Sequence, residues 1–409
     1  MHKTVIKGSI LRENWEAEKM TDGKEIEKYD EWLKDDSPVA ALTMRQWFLP
    51  AEGRDAVIFP PTYPLDRDQS GYNIDKFEED GTSVCQIDSV GSQANRMEPI
   101  FKREPYRALV PHVYIKAKIE GVERRIDILD AGHRAADAIV RFSELGPILH
   151  KAFRSYQNEG DARPLAQIAP TSIVFGSWDS RATQAKIPRI VRSVIRAFNV
   201  KPLRRSAQYT TIAGEILAGG EAEVEIKGPK AELGLAHVPS TGTHGGVLVQ
   251  GEIRKDAILN LSALRTLGVP GQPEETMKLR RYIFGLSLVA FTAPTETFLR
   301  QGCELVQDPN KPTEWKIVNY DGIRSELKIT HDEALSFAKA AAEAFGVSKE
   351  DKEATFNTEV ASALLELEED ERKKLLRSGN LTIEAIKAVK ATPKRGRKGK
   401  TEESPEQRE

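Results

Sequence analysis

Cysteine is nearly absent. Two in 409 residues, Cys85 and Cys303, cannot build a disulfide framework or a four-cysteine zinc site, and such usage fits a reducing cytoplasm. Both are expected as buried thiols. Long apolar runs are missing too. The most hydrophobic stretch, Tyr282 to Phe291, is half the roughly 20 residues that span a bilayer and is interrupted by Gly285 and Ser287. It predicts a core helix or strand. The opening MHKTVIKGSILRENWEAEK has acidic residues where a signal peptide needs an apolar segment, so secretion is not expected. Net charge is lacking as well: 60 Lys and Arg against 62 Asp and Glu leave −2, so any basic surface must be local. Enzyme signatures are absent in the form of G-x-S-x-G and H-E-x-x-H. Gly399-Lys400-Thr401 resembles the end of a phosphate loop, but Lys394 stands where glycine is required and no strand precedes it. No internal repeat is present.

What is there is a chain of 39% hydrophobic and 30% charged residues, globular in composition and long enough for two or three domains. A charged, helical extension is expected over 1–36, with Ile26, Tyr29 and Leu33 at helical spacing, and a core over 37–345. A helical extension follows over 346–392, and then a disordered tail over 393–409 with the basic run Lys394, Arg395, Arg397, Lys398 and Lys400. Within the core, Val39 to Phe48 predicts a strand, Ile87 to Met97 a helix, and VYIKAKI followed by Arg125 to Leu129 a hairpin. His133 to Phe142 and Pro147 to Gln157 predict helices, and Ser172 to Phe175 a short buried strand. Arg189 to Phe198 has an ambiguous period, and its β-branched content favours a strand. Between Gly214 and Gly251 glycines recur among short alternating pieces, which predicts hairpins and a long inserted loop. Lys278 to Phe291 predicts a buried helix, Phe298 to Val306 and Trp315 to Val318 strands, and His331 to Phe345 and Glu359 to Leu376 amphipathic helices.

The chemistry concentrates in one basic stretch. From Trp178 to Tyr209, Arg181, Lys186, Arg189, Arg192, Arg196, Lys201, Arg204 and Arg205 face a single acid, Asp179, and Trp178, Phe198 and Tyr209 interleave them. Cations plus aromatic faces suit a single-stranded nucleic acid. The competing reading is a solvated face whose arginines pair with acids elsewhere. Ser89, Ser92, Gln93, Asn95 and Arg96 gather donors at a helix start, where free N–H groups favour phosphate, although capping explains them nearly as well. His112, His133, His237 and His244 with Asp130 or Asp137 have the donor types of a metal site, but nothing in their spacing assembles them.

Several motifs together resemble a known family. Phe59-Pro-Pro-Thr-Tyr63, Asp88-Ser-Val-Gly-Ser-Gln-Ala-Asn-Arg96, His133-Arg-Ala-Ala-Asp-Ala138, Pro170-Thr-Ser-Ile-Val-Phe-Gly-Ser-Trp-Asp-Ser180 and Pro188-Arg189 occur in order. Gly245-Gly246, Gly251-Glu-Ile-Arg254 and Leu299-Arg-Gln-Gly-Cys-Glu-Leu305 follow them. The set resembles the CRISPR-associated RAMP backbone protein of type I-G systems, formerly type I-U, over Glu25 to Ala344. The resemblance implies an α+β fold: an RRM-like (ferredoxin-like) palm with inserted fingers and a β-hairpin thumb, for which 214–251 is the candidate. It also implies a cytoplasmic subunit of a Cascade complex that polymerises along guide CRISPR RNA and presents it to a target DNA strand. Its partners would be copies of itself in a helical filament, other Cascade subunits and a recruited helicase-nuclease, with no cofactor and no catalytic or metal residues. The RNA-binding set under this reading is Arg45, Ser89, Ser92, Gln93, Asn95, Arg96, His133, Arg134, Trp178, Arg181, Lys186, Arg189, Arg192, Arg196, Arg204 and Arg205.

Two alternatives stand beside it. A metal-dependent ribonuclease would need converging acids, for which Asp88, Asp130, Asp137 and Asp179 are the candidates. Asp88 and Asp130 read as helix caps, and Asp137 as an ion-pair partner of His133 and Arg141. A protein-only scaffold would carry no RNA, which an absorbance ratio at 260 over 280 nm separates cheaply.

Overall fold

Alternating strands, one long helix buried over its second half and one long amphipathic helix give an α+β fold. The protein is seen in a computed structural model that describes residues 26–64 and 70–391. Contacts divide the chain into two units: Met1–Val110, Ile173–Gly176 and Pro188–Val347 belong to the first, and Pro111–Ser172, Ser177–Ile187 and Ser348–Glu409 to the second. This division crosses the linear boundary expected at residue 345. The expected tail over 393–409 with its basic run, and the extension before Ile26, lie outside the described residues.

The first unit is built on one antiparallel sheet. Strand β1 (Val39–Pro50) pairs with β6 (Ile253–Asn260), which pairs with β3 (Val191–Phe198), which pairs with β2 (Ser83–Asp88). The other edge of β1 carries β7 (Cys303–Gln307) against Phe48–Pro50 and β8 (Glu314–Asn319) against Val39–Arg45. Helix α1 (Val90–Met97) lies in the crossing from β1 to β3, and α2 (Pro273–Thr292) in the crossing from β6 to β7. Burial along β6 alternates residue by residue, so Ile253, Lys255, Ala257 and Leu259 face the helices while Arg254, Asp256 and Ile258 face away. The two cysteines sit in the core beside Phe48 and Ile87, and burial pushes both thiols up to about 12.

From Tyr282 to Phe291 helix α2 is apolar on nearly every side because it is enclosed between the sheet and α3 (His331–Phe345). At Gly285 a β-carbon would lie 2.8 Å from the Ala338 Cα, so glycine permits the close approach of α2 and α3. Thr330 and Glu333 form a reciprocal cap at the start of α3. Between β3 and β6 the chain leaves as β4 (Val200–Tyr209) and returns as β5 (Val238–Val249), a long antiparallel hairpin. Its tip, 210–237, holds the short helices Ile212–Ala218 and Pro229–Glu232. The 214–251 segment therefore holds the tip and the returning strand, and the outgoing strand lies before it.

The second unit pairs Val113–Ile119 with Val122–Asp127 and adds Lys352–Thr355 in parallel. Arg125 lies 3.4 Å over the Tyr114 ring and donates to Glu353 at 2.8 Å and Asp351 at 3.0 Å. A small core of Val360, Leu364, Leu367, Leu375 and Ile386 closes its helical part.

Three local expectations are corrected. His133 to Phe142 is a 3-10 turn, Arg134–Ala136, and a separate helix, Ala138–Arg141, split because Asp137 is extended and caps the Ile139 N–H at 3.1 Å. Ser172 to Phe175 contains no strand: Thr171–Val174 is one buried helical turn, followed by Gly176 at φ 77°. Three apolar residues after Ser172 make too short a run to separate the two. Glu359 to Leu376 is two helices, Thr358–Leu365 and Glu369–Ser378, with Glu368 extended between them.

Candidate nucleic-acid interface

The sheet of the first unit has one face under helices and one face turned away from them. Register aligns the second face in rows. Lys316, Thr43, Ile258 and Arg192 form one row; Glu314, Arg45, Asp256 and Val194 the next; Trp47, Arg254, Arg196 and Gln86 a third. A cleft of about 380 Å³ opens over these rows, and five cations line it, Arg45, Arg192, Arg196, Lys316 and Arg324, against two carboxylates, Asp256 and Glu314. Asp256 is engaged twice, by Arg45 at 3.0 Å and by Arg254 at 2.9 Å. Arg254 also stacks 4.5 Å from the Phe198 ring. Arg192, Arg196, Lys316 and Arg324 pair with no carboxylate among the described residues. Against these four, Glu314 is the cleft's one carboxylate outside an ion pair among the described residues, so positive charge prevails and the surface attracts anions.

The helix-bearing face holds polar groups of the same kinds in a different state. Ser89 caps α1 by accepting from the Ser92 N–H at 3.1 Å. Asp88 is therefore not the cap; it is 3% exposed and accepts from Gln93 Nε2 at 2.6 Å and Arg96 Nε at 3.1 Å. Gln93, 2% exposed, accepts in turn from the Ser193 hydroxyl at 2.9 Å. Arg96 also donates to the Leu299 carbonyl and pairs with Glu296 at 3.6 Å. Gln93 thus faces the interior, and Arg96 ties α1 to the chain before β7. Neither presents itself to a strand on the other face. Asn95 is exposed, and Ser89 and Ser92 are half-buried.

Elsewhere in the first unit, Arg189 is exposed just before β3. Arg204 and Arg205 are exposed on β4, and Arg204 donates to the Gly242 carbonyl across the hairpin at 2.9 Å. The left-handed turn at Asn199, φ 52°, bends the basic stretch so that Arg196 and Arg204 belong to different sheets.

The remaining expected residues lie in the second unit. Trp178 is 58% exposed with the Lys186 ammonium 5.1 Å from its ring, and Arg181 and His133 are exposed. Arg134 is buried at φ 53°. Asp179 is 3% exposed and fully engaged: Arg141 donates to it at 3.0 Å, and the Thr183 N–H and hydroxyl each at 2.8 Å. It shapes the turn that presents Trp178. Asp137 pairs with His133 at 3.4 Å as expected, but Arg141 goes to Asp179 instead. The four histidines are divided between the units: His112 sits 3.7 Å from Asp127, while His237 meets Thr211 and His244 meets Ser70. No group of three or more metal-ligating side chains occurs among the described residues.

Sequence reasoning missed Arg254, Lys316 and Arg324. The alternation of IRKDAILN was the available signal for Arg254; the other two come from the edge hairpin of β8 with Arg324–Glu326, whose placement beside β1 has no local signature.

With the geometry in view, the family model described as CRISPR-associated protein GSU0053 matches residues 42–202, from within β1 through α1 and β3 to the start of β4. That is less than half of the chain, and the likeness is to a CRISPR-associated family. No curated protein matches the chain. No helix among the described residues is long and apolar enough to cross a membrane.

Proposed function

We propose that this chain is a backbone subunit of a type I-G CRISPR surveillance complex, holding guide RNA on the sheet face that bears Arg192 and Arg196. The observation that carries the reading is the cleft lined by four cations without carboxylate partners. Phosphates of a single strand supply the missing negative charge at such a surface. The family match over 42–202 supports a CRISPR role.

The topology supports an RRM-like palm. Taking β1, β3, β6 and β8 as the four palm strands, their order across the sheet is fourth, first, third, second, with α1 and α2 in the two crossings. The β4–β5 hairpin leaves between the second and third of these strands, as a thumb would. Its tip exposes apolar side chains among charged ones: Ile212, Ile216, Leu217, Val224, Ile226 and Leu233 are all exposed, as is Tyr209 at the end of β4. An exposed apolar cluster of this extent marks an association surface, and head-to-tail contact between copies yields a filament. Target DNA, other Cascade subunits and a helicase-nuclease would join the assembly in the cytoplasm, and the subunit binds RNA without cutting it.

Mass measurement of the purified chain on single-stranded RNAs of increasing length tests this reading. Mass should rise in steps as the RNA lengthens, and protein purified without added RNA should carry a raised 260-over-280 nm ratio. A fixed oligomer whatever the RNA length, free of nucleic acid, would contradict it.

A further inference from the structure

The helix-bearing side of the first unit contains a second cavity, of about 400 Å³, between α1 with the turns after it and the C-terminal end of α2. That volume lies in the range of small-molecule sites. Its lining is mixed: Met97, Ile100, Ala290, Ala293 and Pro294 form an apolar part, and Lys255 of β6 lies among the polar and charged residues that complete it. The residues beside Lys255 on the same face of β6 are Ile253 and Ala257, so a lysine here breaks the apolar pattern of a core strand.

Lys255 is 3% exposed and has no salt bridge among the described residues. One of its three donors goes to the Thr295 hydroxyl at 2.7 Å, and that hydroxyl donates onward to Gln46 at 2.9 Å. Asp88, the carboxylate that favours its charge, is already held by Gln93 and Arg96. Burial accordingly draws the Lys255 amine down to about 8. At the mouth stands Arg103, exposed and without a carboxylate partner among the described residues. Glu104 and Glu296 stand there as well, and their repulsion, which grows with the charge of the ligand, opposes a polyanion such as RNA more than a single small anion. A buried amine on a cavity of mixed lining, with Arg96 already engaged by Asp88 and Glu296 and Arg103 left at the mouth, fits one small charged group.

We propose that this cavity binds a small organic anion, bearing phosphate or carboxylate, whose charged group pairs with Lys255 and is met at the mouth by Arg103. Calorimetric titration of the full chain with inorganic phosphate, uridine 5′-monophosphate and succinate tests this and separates the sources. At least one probe should bind saturably, and Lys255→Met should weaken it by at least about tenfold, since a charged hydrogen bond is lost. Affinity should fall between about pH 7 and 9.5 as Lys255 loses its proton; the other charged or titratable groups around it are Asp88, Arg96, Arg103, Glu104, Tyr106 and Glu296. In the unaltered chain, the bound probe should slow acetylation of Lys255 by acetic anhydride, read by peptide mass spectrometry. RNA binding by Lys255→Met should keep its salt dependence, so failure here and failure of the RNA reading are distinguishable. No saturable binding of any probe, equal affinity in the wild type and Lys255→Met, or acetylation of Lys255 that the probe does not slow would overturn the proposal.

Discussion

The two faces of one sheet carry similar residues to opposite ends. Arg192 and Ser193 are neighbours in β3, yet Arg192 is exposed and without an ion-pair partner among the described residues, while Ser193 is 1% exposed and bonded to Gln93. Asp256 and Lys255 are neighbours in β6; the first bridges Arg45 and Arg254 at the surface, and the second is buried under α2. On the helix-bearing face, Asp88, Gln93, Arg96 and Ser193 complete one another's hydrogen bonds and hold α1 to the sheet. On the other face the cations outnumber their partners. Residue type is therefore a poor guide to function here, and the state of pairing is a better one.

The sharpest way to break this contrast is Asp88→Ala. It strips Gln93 and Arg96 of a buried acceptor and Lys255 of its neighbouring carboxylate, and it should cost about 3–5 kcal/mol, read as a lowered urea or thermal midpoint. The partner change on the other face, Asp256→Ala, should cost about 1 kcal/mol or less because its pairs are partly solvated. Equal losses would erase the distinction between the faces.

Lys255→Met should act in the opposite direction. The folded amine is drawn from 10.5 to about 8, so burying the charged form costs about 3 kcal/mol below pH 8. Between about pH 8 and 10.5 the unfolded chain keeps the proton that the folded chain has released, and native stability rises with pH. The Met variant should therefore be more stable at pH 7, with the advantage shrinking as pH approaches 10.5. A constant difference across that window would mean that Lys255 is not held below its ordinary value.

Arg192→Ala and Arg196→Ala should change stability least, by about 0.5 kcal/mol or less, since neither side chain is part of a paired network. A loss as large as that of Asp88→Ala would show them to be structural.

Much of this contrast was hidden in the sequence for physical reasons. β-Branched content marked β3 as a strand where its period was ambiguous, and amphipathic periodicity marked α3 as a helix, because both are local properties. The cluster from Ser89 to Arg96 was legible as a helix start. Its burial was not, because that depends on β3 and the segment before β7, distant in sequence, closing over Gln93 and Arg96. The basic stretch from Arg181 to Arg205 read as one surface, whereas the chain distributes it over the second unit, β3 and the hairpin. Asn199 makes the last of those divisions with a single left-handed residue.

The central claim is that the unpaired cations of the sheet face hold RNA phosphates. The direct test is anisotropy of a labelled single-stranded RNA, titrated across a salt series with the wild type and with Arg192→Ala/Arg196→Ala. Each phosphate contact contributes about −0.7 to the log–log slope of affinity against salt, so the double variant should bind more weakly and lose about 1.4 from the magnitude of the slope. A folded double variant with the affinity and slope of the wild type would contradict the account.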